Sequence, residues 1–85
     1  MKLTLKYFAS LREALGPGGA LDWTPEGEPT AAALRAWLRA QSDAHARALA
    51  PDRAVRVAVD QALADESTPL REGAEVAFFP PVTGG

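Results

Sequence analysis

At 85 residues and a formal net charge of −2, the chain has room for one small domain and lacks the basic face that nucleic-acid phosphates demand. It has no cysteine and a single histidine, which excludes disulfide staples, thiol nucleophiles and the usual zinc ligand sets. No apolar stretch approaches the ~20 residues of a membrane span, so the expectation is a soluble cytoplasmic protein with neither a nucleic-acid nor a membrane partner.

Lys2-Leu3-Thr4-Leu5-Lys6-Tyr7 alternates polar and apolar with period two, predicting a strand with Leu3, Leu5 and Tyr7 turned inward. Leu11 to Leu15 has the composition of one helical turn or slightly more, stopped by Gly16-Pro17-Gly18-Gly19. Ala20 to Thr24 reads as a short strand able to form a hairpin with the first, and Pro25 to Pro29 as a loop. Thr30 is placed to cap the one long helix, in which Leu34, Trp37 and Leu38 form the buried stripe while Arg35 and Arg39 face water. A second helical segment runs from Ala44 to Ala50, where Pro51-Asp52 breaks it. Val55, Val57 and Val59 make a third strand, Gln61 to Ala64 a short fourth, and Leu70 anchors an irregular segment to the core. In the last strand, Glu75 to Phe79, Val76 and Phe78 share one face and Ala77 and Phe79 the other, before Pro80 withholds a ladder donor.

This order suits an α+β domain: a mixed sheet of four to five strands with one main helix packed on one face. The β-grasp arrangement is the smallest solution of that kind, and it would set the last strand beside the first. The expected organisation is a domain over residues 1–79 and an extended tail over 80–85.

The tail is the chemically distinctive part. Val82-Thr83-Gly84-Gly85 follows the stiff pair Pro80-Pro81, and glycines without Cβ atoms let a partner's backbone approach closely. Six extended residues reach roughly 20 Å, enough to carry the Gly85 carboxylate into a neighbour's active site. Gly85 is therefore read as the working group. Elsewhere catalytic equipment is sparse. His45 reads as a solvated surface residue, and Ser10, Ser42 and Ser67 have no histidine partner identifiable from sequence. The glycine run at 16–19 lacks the following Lys-Ser/Thr of a nucleotide loop, and Asp65-Glu66 and Glu72/Glu75 read as solvated charge. An independent enzyme is not expected. The outer ring of the Phe78-Phe79 pair either packs under a loop or anchors a partner. Arg12 either assists there or is a plain surface charge.

Tyr7-Phe8-Ala9-Ser10-Leu11-Arg12-Glu13 and the run Val76-Ala77-Phe78-Phe79-Pro80-Pro81-Val82-Thr83-Gly84-Gly85 resemble the small-subunit family of molybdopterin synthase. That resemblance implies a ubiquitin-like β-grasp fold and a sulfur carrier that binds no cofactor of its own. It implies that an activating enzyme uses ATP to adenylate Gly85, and that a persulfide sulfurtransferase then supplies the sulfur of a thiocarboxylate. The large catalytic subunit would receive the tail and use its sulfur for the dithiolene of molybdopterin, in an assembly of two small and two large subunits. By the same resemblance Gly84, Thr83 and Val82 pass through the partner's channel, and Phe79, Pro80 and Pro81 contact partners. Asp60 stands where relatives often have asparagine, and Glu72-Gly73-Ala74-Glu75 replaces a common Gly-Asp-Glu turn. Carriers for thiamine or tRNA thiolation, and ubiquitin-like protein modifiers, share this terminal chemistry and stand as the alternatives.

Overall fold

The computed structural model describes residues 1–81. Strand β1 (Lys2–Tyr7) buries Leu3, Leu5 and Tyr7 and exposes its polar phase, as its alternation predicts. Helix α1 (Ala9–Leu15) is longer than its composition suggests, beginning directly after Phe8 and ending at Gly16, whose φ of 85° suits glycine. Strand β2 (Gly18–Asp22) starts two residues earlier than expected, because Gly18 and Gly19 pair with Lys6 and Leu5 instead of turning. Trp23, placed in that strand by the sequence, lies beyond its end, buried, with its N–H donated to the Met1 carbonyl.

Thr30 caps α2 (Ala31–Arg39), its hydroxyl accepting from the Ala33 N–H at 3.1 Å. Leu34 and Leu38 are buried and Trp37 is half-buried against the core. Arg35 corrects the expectation that it faces water, being only 5% exposed. Its Nε donates to the Leu49 carbonyl at 2.9 Å, and Nη2 donates to the carbonyls of Ala50 at 2.6 Å and Arg53 at 3.1 Å. Nη1 pairs with the Glu66 carboxylate. A guanidinium offers five donors in a fixed fork, and four of its bonds here tie α2 to two distant loops. Ser42 caps the short α3 (Asp43–Ala48), which occupies most of the expected second helical segment.

Strands β3 (Arg56–Val59) and β4 (Ala62–Ala64) form a hairpin across Asp60 and Gln61, both left-handed at φ 51° and 68°. Asp60 also grips the start of β5 (Glu75–Phe79). Its N–H donates to the Glu75 carbonyl at 2.8 Å, and its carboxylate accepts from the Glu75 N–H at 2.9 Å. Leu70 is buried, as expected of an anchor.

The five strands form one mixed sheet in the order β2-β1-β5-β3-β4, with β5 parallel to β1 and antiparallel to β3. Leu3, Leu5, Tyr7, Val57, Val76 and Phe78 meet Leu34, Leu38 and Leu49 in the core on the helix side. The result is a ubiquitin-like β-grasp. No helix among the described residues is long and apolar enough to cross a membrane.

Candidate functional site

The strand that leads to the tail lies inside the sheet, not at its edge. β5 runs parallel to β1, so the end of β5 and the end of β1 emerge side by side, with Tyr7 opposite Phe78. The Phe8 N–H continues the pairing by donating to the Phe78 carbonyl at 3.2 Å. Pro80, which has no donor, ends the ladder on the other side. Pro80 and Pro81 are half-buried at this point. Val82, Thr83, Gly84 and Gly85, which carry the expected chemistry, lie outside the described residues.

Register places Phe79 on the face of the sheet away from the helices, opposite Arg56 of β3 and half-exposed, whereas Phe78 is buried on the other face. Arg12 is brought near by α1: the Phe8 carbonyl accepts from the Leu11 and Arg12 N–H groups, which fixes the first turn beside the end of the sheet. Arg12 is exposed, and neither Arg12 nor Arg56 makes an ion pair among the described residues. Phe8 thus joins the end of β5 through Phe78 and the first turn of α1 through the Arg12 N–H, while Phe79 lies on the helix-free face.

Two residues that the sequence reading passed over complete this surface. Phe8 is 45% exposed and Leu63 is 69% exposed, the two large apolar side chains most open to solvent among the described residues. Phe8 is held out because Ala9 takes a φ of 53° and swings the chain from strand into helix. Leu63 stands opposite Ala58, Ala58 opposite Ala77, and Ala77 opposite Lys6, so an apolar row crosses the helix-free face toward the tail-bearing strand. Lys6 is tied to Glu75 at 2.6 Å on the same face. A signal for Phe8 was present: it takes the polar phase of the β1 alternation, where an aromatic has no core to enter.

Among the described residues, this surface holds arginines, a paired lysine, apolar side chains and prolines. Such a surface is suited to recognising a partner. His45 lies elsewhere and is half-buried, correcting its reading as a solvated residue. Its Nδ1 is 2.7 Å from the Ser42 hydroxyl, a pair the sequence did not reveal. Because the Ser42 oxygen also accepts from the His45 N–H at 3.1 Å, the contact is a helix cap. One carboxyl group and one phenol are perturbed. Hydrogen bonds from Ser67, and less from Thr68, hold Asp65 below its ordinary value, and burial pushes Tyr7 up to about 12.

Comparison with known proteins agrees with this geometry. The molybdopterin synthase sulfur carrier subunit of Escherichia coli is 46% identical over 82 residues, covering 93% of this chain and 94% of its own. Among solved structures, SAMP1 from Haloferax volcanii superposes with a TM-score of 0.78 at 24% identity, over 100% of both chains. A chain in the complex of subunits 1 and 2 of molybdopterin-converting factor from Helicobacter pylori does so with a TM-score of 0.67 at 21% identity, again over 100% of both. The ThiS family matches residues 5–85. Matched along nearly its whole length, the chain belongs to the ThiS family.

Proposed function

We propose that this protein is the sulfur-carrier small subunit of molybdopterin synthase, a non-catalytic cytoplasmic component whose reactive group is its own C-terminal carboxylate. The observation that carries the reading is the 46% identity to the Escherichia coli sulfur carrier subunit over 93% of the chain. The sheet supports it, because a diglycine end follows a strand held in the interior of the domain beside an exposed aromatic and cationic surface.

A carboxylate is a poor electrophile until a good leaving group is attached. An activating enzyme supplies one from ATP: the Gly85 carboxylate attacks the α-phosphorus and pyrophosphate departs. The terminal sulfur of a persulfide donor then displaces AMP to give an acyl disulfide. A second thiol of the sulfur-supplying enzymes attacks the donor's sulfur, breaking the S–S bond to leave the thiocarboxylate and a disulfide between the two thiols. Gly84, Thr83 and Val82 occupy the large catalytic subunit's channel, where the sulfur is given up to the dithiolene of molybdopterin. Phe79, Pro80, Pro81, Arg12 and Phe8 form the docking surface at the root of the tail. Docking makes delivery effectively unimolecular, which offsets the entropy of bringing two macromolecules together at each transfer. Domain and tail divide at residues 79 and 80, and two small subunits serve two large ones.

Intact-mass analysis of protein taken from its native cell tests the reading. One oxygen exchanged for sulfur at the C-terminus, with the large subunit copurifying, is the expected result. Isopeptide-linked conjugates through Gly85, with no thiocarboxylate, would replace it with a protein modifier.

A further inference from the structure

Helices α1 and α3 leave a cleft of about 290 Å³ between them. Leu11, Ala14, Ala44 and Ala48 form its apolar part, and Ser10, Arg47 and Arg53 its polar part. Both arginines are exposed, so their charged heads stand in solvent while their stems line the cleft. Neither makes an ion pair among the described residues, and no carboxylate of those residues lines the cleft. Asp43 lies four residues before Arg47 on α3, a spacing that commonly pairs, and Asp52 adjoins Arg53, yet no pair forms with either. Two like charges lining one small cleft repel, and an anion seated beside both turns that repulsion into attraction. Their backbones are fixed. Arg47 stands on α3, which Ser42 caps, while the Arg53 N–H donates to the Ala50 carbonyl at 2.9 Å and the Arg53 carbonyl accepts from Arg35 Nη2 at 3.1 Å. Arg53 also comes three residues before Arg56, the partner of Phe79, so the cleft lies near the end of the sheet at which β5 finishes.

We infer that this cleft binds a phosphate monoester carrying a single apolar ring. Its phosphate accepts hydrogen bonds from the two guanidiniums and the Ser10 hydroxyl, and its ring lies along Leu11 and the alanines. A guanidinium fork matches phosphate oxygens two at a time, and a monoester near neutral pH brings close to two negative charges against two arginines. The volume lies at the lower end of the ~300–1,000 Å³ range of ligand pockets, room for a phosphate and one ring. The apolar part of the lining selects an organic ester over inorganic phosphate, because only the ester has apolar surface to bury there. The site does not depend on the sulfur-carrier reading.

The test is NMR titration of the backbone amides of the full chain, in low-salt buffer free of phosphate, with phenyl phosphate, inorganic phosphate and phenol. Phenyl phosphate should give saturable shifts at Ser10, Ala14, Arg47 and Arg53. Inorganic phosphate should shift the same residues while binding about fivefold more weakly, and phenol should leave them unmoved. Arg47→Gln and Arg53→Gln should each weaken phenyl phosphate about tenfold, as expected for loss of a charged hydrogen-bond donor. Arg71→Gln removes the same charge near the start of β1, where the Lys2 carbonyl accepts from the Gly73 N–H, and should leave binding unchanged. Circular dichroism checks the fold of each variant, and the three probes on the unmodified chain decide the matter even if a variant fails to fold. No saturable shift up to the solubility limit, phenyl phosphate bound no better than phenol or inorganic phosphate, or an equal loss from Arg71→Gln would overturn the proposal.

Discussion

Tyr7 and Phe78 face each other across the parallel pairing of β1 and β5, their ring centroids 6.4 Å apart and their planes 28° from parallel. The contact locks the last strand to the first just before the chain leaves the sheet. It makes the two adjacent phenylalanines unequal. Phe78→Ala should remove about 3–5 kcal/mol, comparable to the whole stability of a small domain. Phe79→Ala should cost about 1 kcal/mol or less in urea denaturation yet weaken binding to the large subunit, measured calorimetrically, by about tenfold or more. The reverse ranking would remove Phe79 from the interface.

Deleting Gly84 and Gly85 should leave the thermal midpoint where it is, because the last residue of the hydrophobic core among the described residues is Phe78. Sulfur transfer to the pterin should vanish. A truncated chain that still supports conversion would defeat the sulfur-carrier reading.

Arg35→Met should destabilise by about 2–4 kcal/mol, since three carbonyls lose their donor and a loop loses its fastening. Glu66→Gln should cost far less, because the Glu66 side chain is half exposed and water can replace part of what it loses. Chemical denaturation of both variants at neutral pH gives the comparison.

Burial favours the neutral form of Tyr7 and raises its titration in the folded chain to about 12 from an ordinary value of 10.0. The unfolded chain therefore releases the phenolic proton first as pH rises. The stability tied to this group is fully present below pH 10 and is lost progressively toward pH 12. Denaturation midpoints across this range should fall more steeply for the native sequence than for Tyr7→Phe. Parallel curves would contradict the assignment.

Gly18→Ala should be severe for a surface strand. A Cβ at Gly18 would lie 2.1 Å from the Leu5 carbonyl oxygen, and the residue's φ of +92° is one that alanine rarely adopts. A loss of about 2–4 kcal/mol is expected in thermal or urea unfolding. A loss below about 1 kcal/mol would mean that β2 shifts without cost.

Much of this architecture was legible in local patterns. The β1 alternation, the Thr30 cap, the Val57 strand and the Leu70 anchor each depend on neighbours a few residues away. Arg35 was misread because periodicity assigns a charge to solvent, and its partners lie 14 to 31 residues along the chain. Gly18 and Gly19 were read as turn because glycine is permissive, though an edge strand beside close backbone also needs it. Of the functional surface, the terminal glycines stood out by composition. The row from Leu63 to Lys6 did not, since it exists only through the register of four strands.

Two identical side chains stand next to each other near the end of the chain, and nothing in their chemistry says which belongs inside. A slip of β5 by one residue would exchange them, pushing Phe79 inward and Phe78 out. The two bonds between Asp60 and Glu75 forbid that slip. A hairpin loop fifteen positions upstream thus acts as the index mark for β5, and with it determines which aromatic ring is turned away from the helices.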